Sequence, residues 1–173
     1  MNYVILVDKR EKIPLLFPDH IVMLCHNCQP HARKARTIPI HVEPCHLKTG
    51  DYALNGNMTR ILVERKRDFS ELARNCLTLD GRRKFSDECK RLFNECDHPV
   101  LLVEGSIPQL LRSYRPYTNE SPWLAVDAYQ RLCLEWRIET VYLSSSSVAQ
   151  RRVVGEYVAH LLINGAHTNG RTR

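Results

Sequence analysis

Three stretches of this 173-residue chain place charged side chains where an apolar strand should end. Residues 3–7 are apolar and β-branched, and they deliver Asp8, then Arg10 and Glu11. Gly50-Asp51 opens the short segment Tyr52-Ala53-Leu54, and Ile61-Leu62-Val63 runs into Glu64-Arg65-Lys66. Residues i and i+2 of a strand share a face, so Glu64 and Lys66 project together and Arg65 projects to the other side. Two or three carboxylates so gathered can hold Mg²⁺, a hard cation that takes oxygen ligands and keeps several waters. Such a cation polarises a phosphodiester, helps to generate hydroxide and steadies the leaving oxygen. A lysine beside it can orient or deprotonate the attacking water, or offset charge on the phosphorane. A solvated strand end is the competing reading of Glu64-Arg65-Lys66 taken alone. Crowding several charges against apolar strands is costly, and the ordered series of such ends favours chemistry.

The elements that must position these residues are legible in the periodicity. Besides the runs above, 100–103 (introduced by Pro99 and closed by Gly105) and 141–143 read as strands, and 38–42 is a weaker strand. Between them the period becomes helical: Phe85, Cys89, Leu92, Phe93 and Cys96; Ile107, Leu110, Leu111 and Tyr114; Ala125, Tyr129, Leu132, Cys133 and Trp136; Val154, Tyr157, Val158, Leu161 and Leu162. Asp68, with Glu71 three residues on, reads as the N-cap of a helix that follows the Ile61 strand. Strands alternating with helices predict an α/β domain with a central mixed β-sheet flanked by helices, over residues 1–164. Residues 165–173 are polar and read as a flexible tail. Trp123, Tyr129, Trp136 and Tyr157 are expected in the core, as are Cys76, Cys89, Cys96 and Cys133.

Lys and Arg number 25 against 19 Asp and Glu, a net charge of +6, which suits a polyanionic partner. At 43% hydrophobic residues the chain can build a core, so a disordered tail is excluded. No apolar run approaches the ~20 residues of a membrane span, and the apolar start is too short for a secretion signal, so an intracellular location, cytoplasmic or nuclear, is expected. Seven cysteines, an odd number, then read as thiols or metal ligands rather than a disulfide framework. Residues 20–46 form a Cys/His-rich basic insertion. Cys25-x₂-Cys28 has metal-type spacing, and His31 with Cys45 or His46 would complete a tetrahedral structural Zn²⁺ site; free thiols and surface histidines are the alternative. Arg33, Lys34 and Arg36 there, and Arg67, Arg82 and Arg83 near the carboxylates, are candidate phosphate contacts, against the alternative of a solvated face. Tyr114 and Tyr117 are weaker candidates for a DNA-facing loop.

Asp51-x₁₂-Glu64-x-Lys66 is a form of the PD-(D/E)xK pattern. Together with Gly50-Asp51-Tyr52, Val63-Glu64-Arg65-Lys66 and Val7-Asp8-x-Arg10-Glu11, it resembles the XPF nuclease-domain family of structure-specific DNA endonucleases. The likeness extends through Gly81-Arg82, Phe85, Glu88 and Pro99–Glu104, over roughly residues 3–160. It implies a restriction-endonuclease-like core and a Mg²⁺-dependent endonuclease, Mn²⁺ standing in, that acts on DNA in repair or recombination and leaves 5′-phosphate and 3′-hydroxyl ends. Branched, nicked or flap-containing DNA is the implied substrate. Asp8, Asp51 and Glu64 become metal carboxylates and Lys66 the catalytic lysine. Arg10, Glu11 and Arg65 support them. The family's last aspartate, four residues after the lysine, is Ser70 here, and Asp68 or Glu71 is offered in its place. The family's helix-hairpin-helix module has no counterpart in the chain, which therefore looks like stand-alone phage or bacterial forms. A homodimer or a targeting protein partner is expected. The rival readings are a catalytically weak DNA-binding subunit and a zinc-stapled adaptor.

Overall fold

A computed structural model of the chain describes residues 2–24, 35–108, 111 and 121–168. The apolar runs form strands β1 (Tyr3–Asp8), β4 (Tyr52–Leu54), β5 (Ile61–Lys66), β6 (His98–Glu104) and β7 (Glu139–Leu143). β2 (His20–Leu24) and β3 (Ala35–Cys45) precede β4. Four helices are described: α1 (Phe69–Leu77), α2 (Leu79–Glu95), α3 (Trp123–Glu135) and α4 (Val148–His167). One seven-stranded sheet runs β2-β3-β1-β4-β5-β6-β7. It is mixed: β1 pairs β3 in parallel, β4 pairs both β1 and β5 antiparallel, and β5, β6 and β7 run parallel. This is the α/β architecture that the alternating periods predict.

The sheet buries both faces. On one side Leu6, Ala53, Leu62 and Leu101 pack with Phe69, Leu72, Phe85, Cys89, Leu92 and Tyr129 from α1, α2 and α3. On the other, Ile5, Val7, Tyr52, Leu54, Val63 and Leu102 pack with Val154, Val158, Leu162 and Ile163 of α4. β5 is apolar on both faces until its last three residues. There the same alternation hands Glu64 and Lys66 to the α1/α2 side and Arg65 to the α4 side. Among the described residues no helix is long and apolar enough to cross a membrane.

Residues 20–24 and 35–45 pair in register as strands of the main sheet, Ile21 opposite Ile38, and β3 contains the weaker strand expected at 38–42. Three expectations need correction. The tail does not begin at 165. Gly165 is buried, with Ile61 lying where a Cβ would sit, and α4 continues to His167, whose ring bonds the Tyr3 hydroxyl at 2.8 Å. Trp123 (57% exposed) and Tyr157 (40%) are on the surface, because each stands on the outer side of its helix. Tyr129 and Cys76, Cys89, Cys96 and Cys133 are buried as expected. Most of the helix expected around Ile107–Tyr114 lies outside the described residues, as do Tyr114 and Tyr117.

Candidate active site

Every strand that carries a site residue delivers it at the same edge of the sheet. β1, β3, β5 and β6 run parallel to one another, so Asp8, Cys45, Lys66 and Glu104 all lie at strand C-termini. Asp51 reaches that edge from the start of β4. Gly50 makes the turn with φ +77°, a left-handed value that glycine adopts at little cost. The backbone then locks Asp51 in place: its N–H donates to the Val63 carbonyl (2.8 Å) and its carbonyl accepts from the Asp8 N–H (2.9 Å). Its carboxylate accepts from the Arg65 N–H at 2.8 Å.

Glu64 and Lys66 meet on one face as the alternation requires. Lys66 Nζ donates to Glu64 Oε1 at 2.7 Å. The same ammonium donates to Oε1 of Glu88, from α2, at 2.8 Å, and it stands 5.5 Å from the Phe85 ring centre. Lys66 is 4% exposed. Burial and the neighbouring Glu88 hold Glu64 well above the usual carboxylate range, although Lys66 pulls the other way. Burial would raise Glu88 too, but the hydrogen bond with Glu64 and the charge of Lys66 overcome it and hold Glu88 low. Burial alone would lower Lys66, but Glu64 and Glu88 outweigh it, so the group stays an ammonium. Burial lifts Asp51 to about 6, against the Arg65 N–H and Lys66, which lower it.

The cleft between these residues measures ≈ 300 Å³ and is lined by Asp51, Glu64 and Glu88, with Arg10, Glu11, Lys48 and Arg91 around them. A second cleft of ≈ 520 Å³ shares Arg10 and Glu11 and adds Lys12, Arg67, Asp68, Glu71 and Arg74. An acidic floor thus sits inside a rim where basic residues outnumber Glu11, Asp68 and Glu71. Such a rim can seat phosphates while the floor collects a cation.

The remaining candidates fall into place unevenly. Asp8 is buried, but its carboxylate is taken by Arg10, whose Nε stands 3.0 Å from both oxygens and whose Nη2 pairs with Oδ2. That pairing holds Asp8 below its usual range despite burial. Arg10 also donates to the Leu47 carbonyl at 2.7 Å, tying β1 to the approach to Asp51. Arg65 is 4% exposed and faces α4. It pairs with Glu104 and Glu11 and donates to the Ile13 carbonyl (2.6 Å) and the Tyr52 hydroxyl (3.3 Å). It is a strut beneath the site, turned away from the cleft.

Asp68 and Glu71, offered for the missing aspartate, line the second cleft and are engaged at the start of α1. Asp68 Oδ1 accepts from the Glu71 N–H (2.7 Å) and Glu71 Oε2 from the Arg67 N–H (3.2 Å), so both serve to cap α1. Ser70 sits half-buried in the first turn of that helix. Glu88, the carboxylate that does reach Lys66, was available to sequence reasoning. It falls three residues after Phe85 and one before Cys89, on the inward edge of α2.

Arg67 lies on the rim. Arg82 lines a separate cleft with Leu79, Leu124 and Arg131, and Arg83 is exposed nearby. Arg36 stands nine residues before Cys45 on β3, which at the usual rise of a strand is ~30 Å from the site edge. Cys25, Cys28, His31, Arg33 and Lys34 lie outside the described residues. Cys45 is a free, half-buried thiol raised by burial. Among the described residues no group of three or more His, Cys, Asp or Glu forms a ready metal cage.

Residues 7–151 match the ERCC4 domain. XPF from Aeropyrum pernix has a similar structure, with a TM-score of 0.56 and 22% identity, covering 91% of this chain and 64% of that one. The same archaeal protein in complex with DNA also scores 0.56 at 22% identity, over 96% of this chain and 68% of the other. The chain therefore spans about two thirds of the length of that relative. No curated protein sequence matches it.

Proposed function

Because the chain belongs to the ERCC4 domain family, we propose that it is a metal-dependent DNA endonuclease that hydrolyses phosphodiester bonds. The observation that carries this reading is the juxtaposition of Asp51 and Glu64 on the floor of a cleft bordered by Arg10 and Arg91, with the buried Lys66 ammonium 2.7 Å from Glu64. Hard oxygen donors fit a divalent cation. Asp51 and Glu64 are half-buried carboxylates, each raised in pKa chiefly by desolvation. Two protein oxygens leave the rest of the shell to water and phosphate, as Mg²⁺ prefers. Mg²⁺ or Mn²⁺ held by Asp51 and Glu64 would supply Lewis-acid polarisation of the scissile phosphate and the attacking water.

The chain's own residues do the rest. Lys66, as an ammonium, offsets the charge that builds on the phosphate oxygens. Arg65 carries Asp51 on its backbone N–H and is itself clamped from below, so Asp51 and Glu64 keep a fixed spacing. Arg10 holds Asp8 as a charged support beside the site rather than leaving its carboxylate in the cleft. Arg67, Arg74 and Arg91 on the rim take phosphates on either side of the cut. The DNA-bound archaeal relative supports DNA as the substrate class. Branched, nicked or flap DNA is the form we assign. A second copy or a targeting partner, which the family resemblance implies, belongs to this proposal.

The test is cleavage of labelled single-stranded, duplex, nicked, 3′-flap, splayed-arm and four-way-junction DNA with Mg²⁺, Mn²⁺ or EDTA. Cutting is expected with either metal and not with EDTA. Lys66→Ala and Asp51→Ala should each lower the rate at least 10²-fold with DNA binding retained. Binding without cutting in the wild-type chain would make it a catalytically silent subunit instead.

A further inference from the structure

Resting on that reading, we infer that Glu88 is a positioning residue: it keeps the Lys66 ammonium aimed at the reaction centre when Glu64 is committed to a cation. In the structure Lys66 is shared between two carboxylates at nearly equal distance, Glu64 Oε1 at 2.7 Å and Glu88 Oε1 at 2.8 Å. One of them is a carboxylate that the proposed site needs for its cation. An oxygen that faces a divalent cation is a poorer anchor for an ammonium, because the two positive charges repel across it. With Glu64 as its only anchor, Lys66 would be drawn away just as the site became competent.

Glu88 removes that conflict. It comes from another element, 22 residues further along the chain from Lys66. Its helix is pinned to the sheet by Phe85, Cys89 and Leu92, each at most 1% exposed. Phe85 also lies beside the ammonium, so α2 fixes Lys66 from two sides. Unlike Asp68 and Glu71, Glu88 caps no helix; besides Lys66 it is hydrogen-bonded to Glu64. The role depends on a helix packed against the sheet rather than on the strand that carries Glu64 and Lys66.

Two measurements on the full chain test this. The first is a double-mutant cycle. Glu88→Ala is expected to lower the single-turnover cleavage rate about 10–100-fold, with Glu88→Gln, which keeps an acceptor oxygen, recovering part of it. In a Lys66→Ala background Glu88→Ala should cost nothing further, since it acts through Lys66. Mn²⁺ affinity, followed by electron paramagnetic resonance, should be unchanged by Glu88→Ala. An equal loss in both backgrounds, or weaker Mn²⁺ binding, would overturn the assignment in favour of a structural or metal-ligand role. The second measurement needs no cleavage. The ammonium resonance of Lys66, assigned by its loss in Lys66→Ala, should persist in wild type with and without Mg²⁺. In Glu88→Ala it should broaden or vanish when Mg²⁺ is added. Persistence there would sink the inference even if the chain cuts DNA. Absence of cutting in wild type would fail the nuclease reading and leave this second arm to decide.

Discussion

Asp51 shows what a single half-buried carboxylate costs the fold. Its pKa rises from an ordinary 3.8 to about 6, chiefly through burial. The folded state therefore binds a proton more tightly than the unfolded chain does. The associated stability is greatest below pH 4, declines as pH rises toward 6, and is gone above it. A shift of this size corresponds to about 2–3 kcal/mol. Asp51→Asn, which keeps the acceptor for the Arg65 N–H, should raise the melting temperature of the metal-free protein at pH 7.5 and change it little at pH 4. Thermal scans at the two pH values in EDTA check this, and a destabilised variant at pH 7.5 would contradict it. The same carboxylate that weakens the empty fold is the one on which the proposed chemistry depends.

At the scale of the elements, the site depends on how β4 begins. Gly50 has φ +77°, and a Cβ there would stand 3.3 Å from the Val63 carbonyl, the group that accepts from the Asp51 N–H. Gly50→Ala should cost about 1–2 kcal/mol in backbone strain and displace Asp51 as well, lowering both stability and cleavage. Gly56 has φ +76° but open space where a Cβ would go, away from the cleft. Gly56→Ala should cost a similar amount of stability and leave cleavage intact. Chemical denaturation with activity at saturating metal separates the two. At the far end of the fold, α4 also ends by packing on another element: Gly165 rests on Ile61, His167 on Tyr3, and the Thr168 hydroxyl bonds His98 at 2.9 Å. A chain ended after residue 164 should melt about 3–10 °C below one ended after 168.

For the whole molecule, a net charge of +6 matters less than where the charge lies. Arg67, Arg74 and Arg91 border the two connected clefts, whereas Arg36 stands at the opposite end of β3. Each rim Arg→Ala change should weaken binding of a branched DNA without regard to its sequence and reduce the salt slope by about one. Arg36→Ala should leave the slope as it is. Fluorescence anisotropy titrations at several salt concentrations, with Ca²⁺ in place of Mg²⁺, measure both. Equal slopes for all four variants would move the DNA path off this edge.

Much of this was written in local order along the chain. Period-two alternation at the end of β5 sends Glu64 and Lys66 one way and Arg65 the other, and that depends only on strand geometry. Gly50-Asp51 and the Asp68–Glu71 cap are likewise decided within a few residues. The order of these signals was enough to point to the family and to a mixed α/β sheet. What only the folded chain decided is the choice of partner for each charge. Arg10 claims Asp8, Glu104 and Glu11 claim Arg65, and Glu88 joins Lys66 from a helix whose inward edge was visible but whose neighbour was not. The same holds for Trp123 and Tyr157, helical in pattern yet left outside, and for residues 20–24 and the parts of β3 on either side of 38–42, which became sheet strands. Alternation and capping are short-range geometry, whereas ion pairing and burial depend on which elements abut, and spacing along one chain does not contain that.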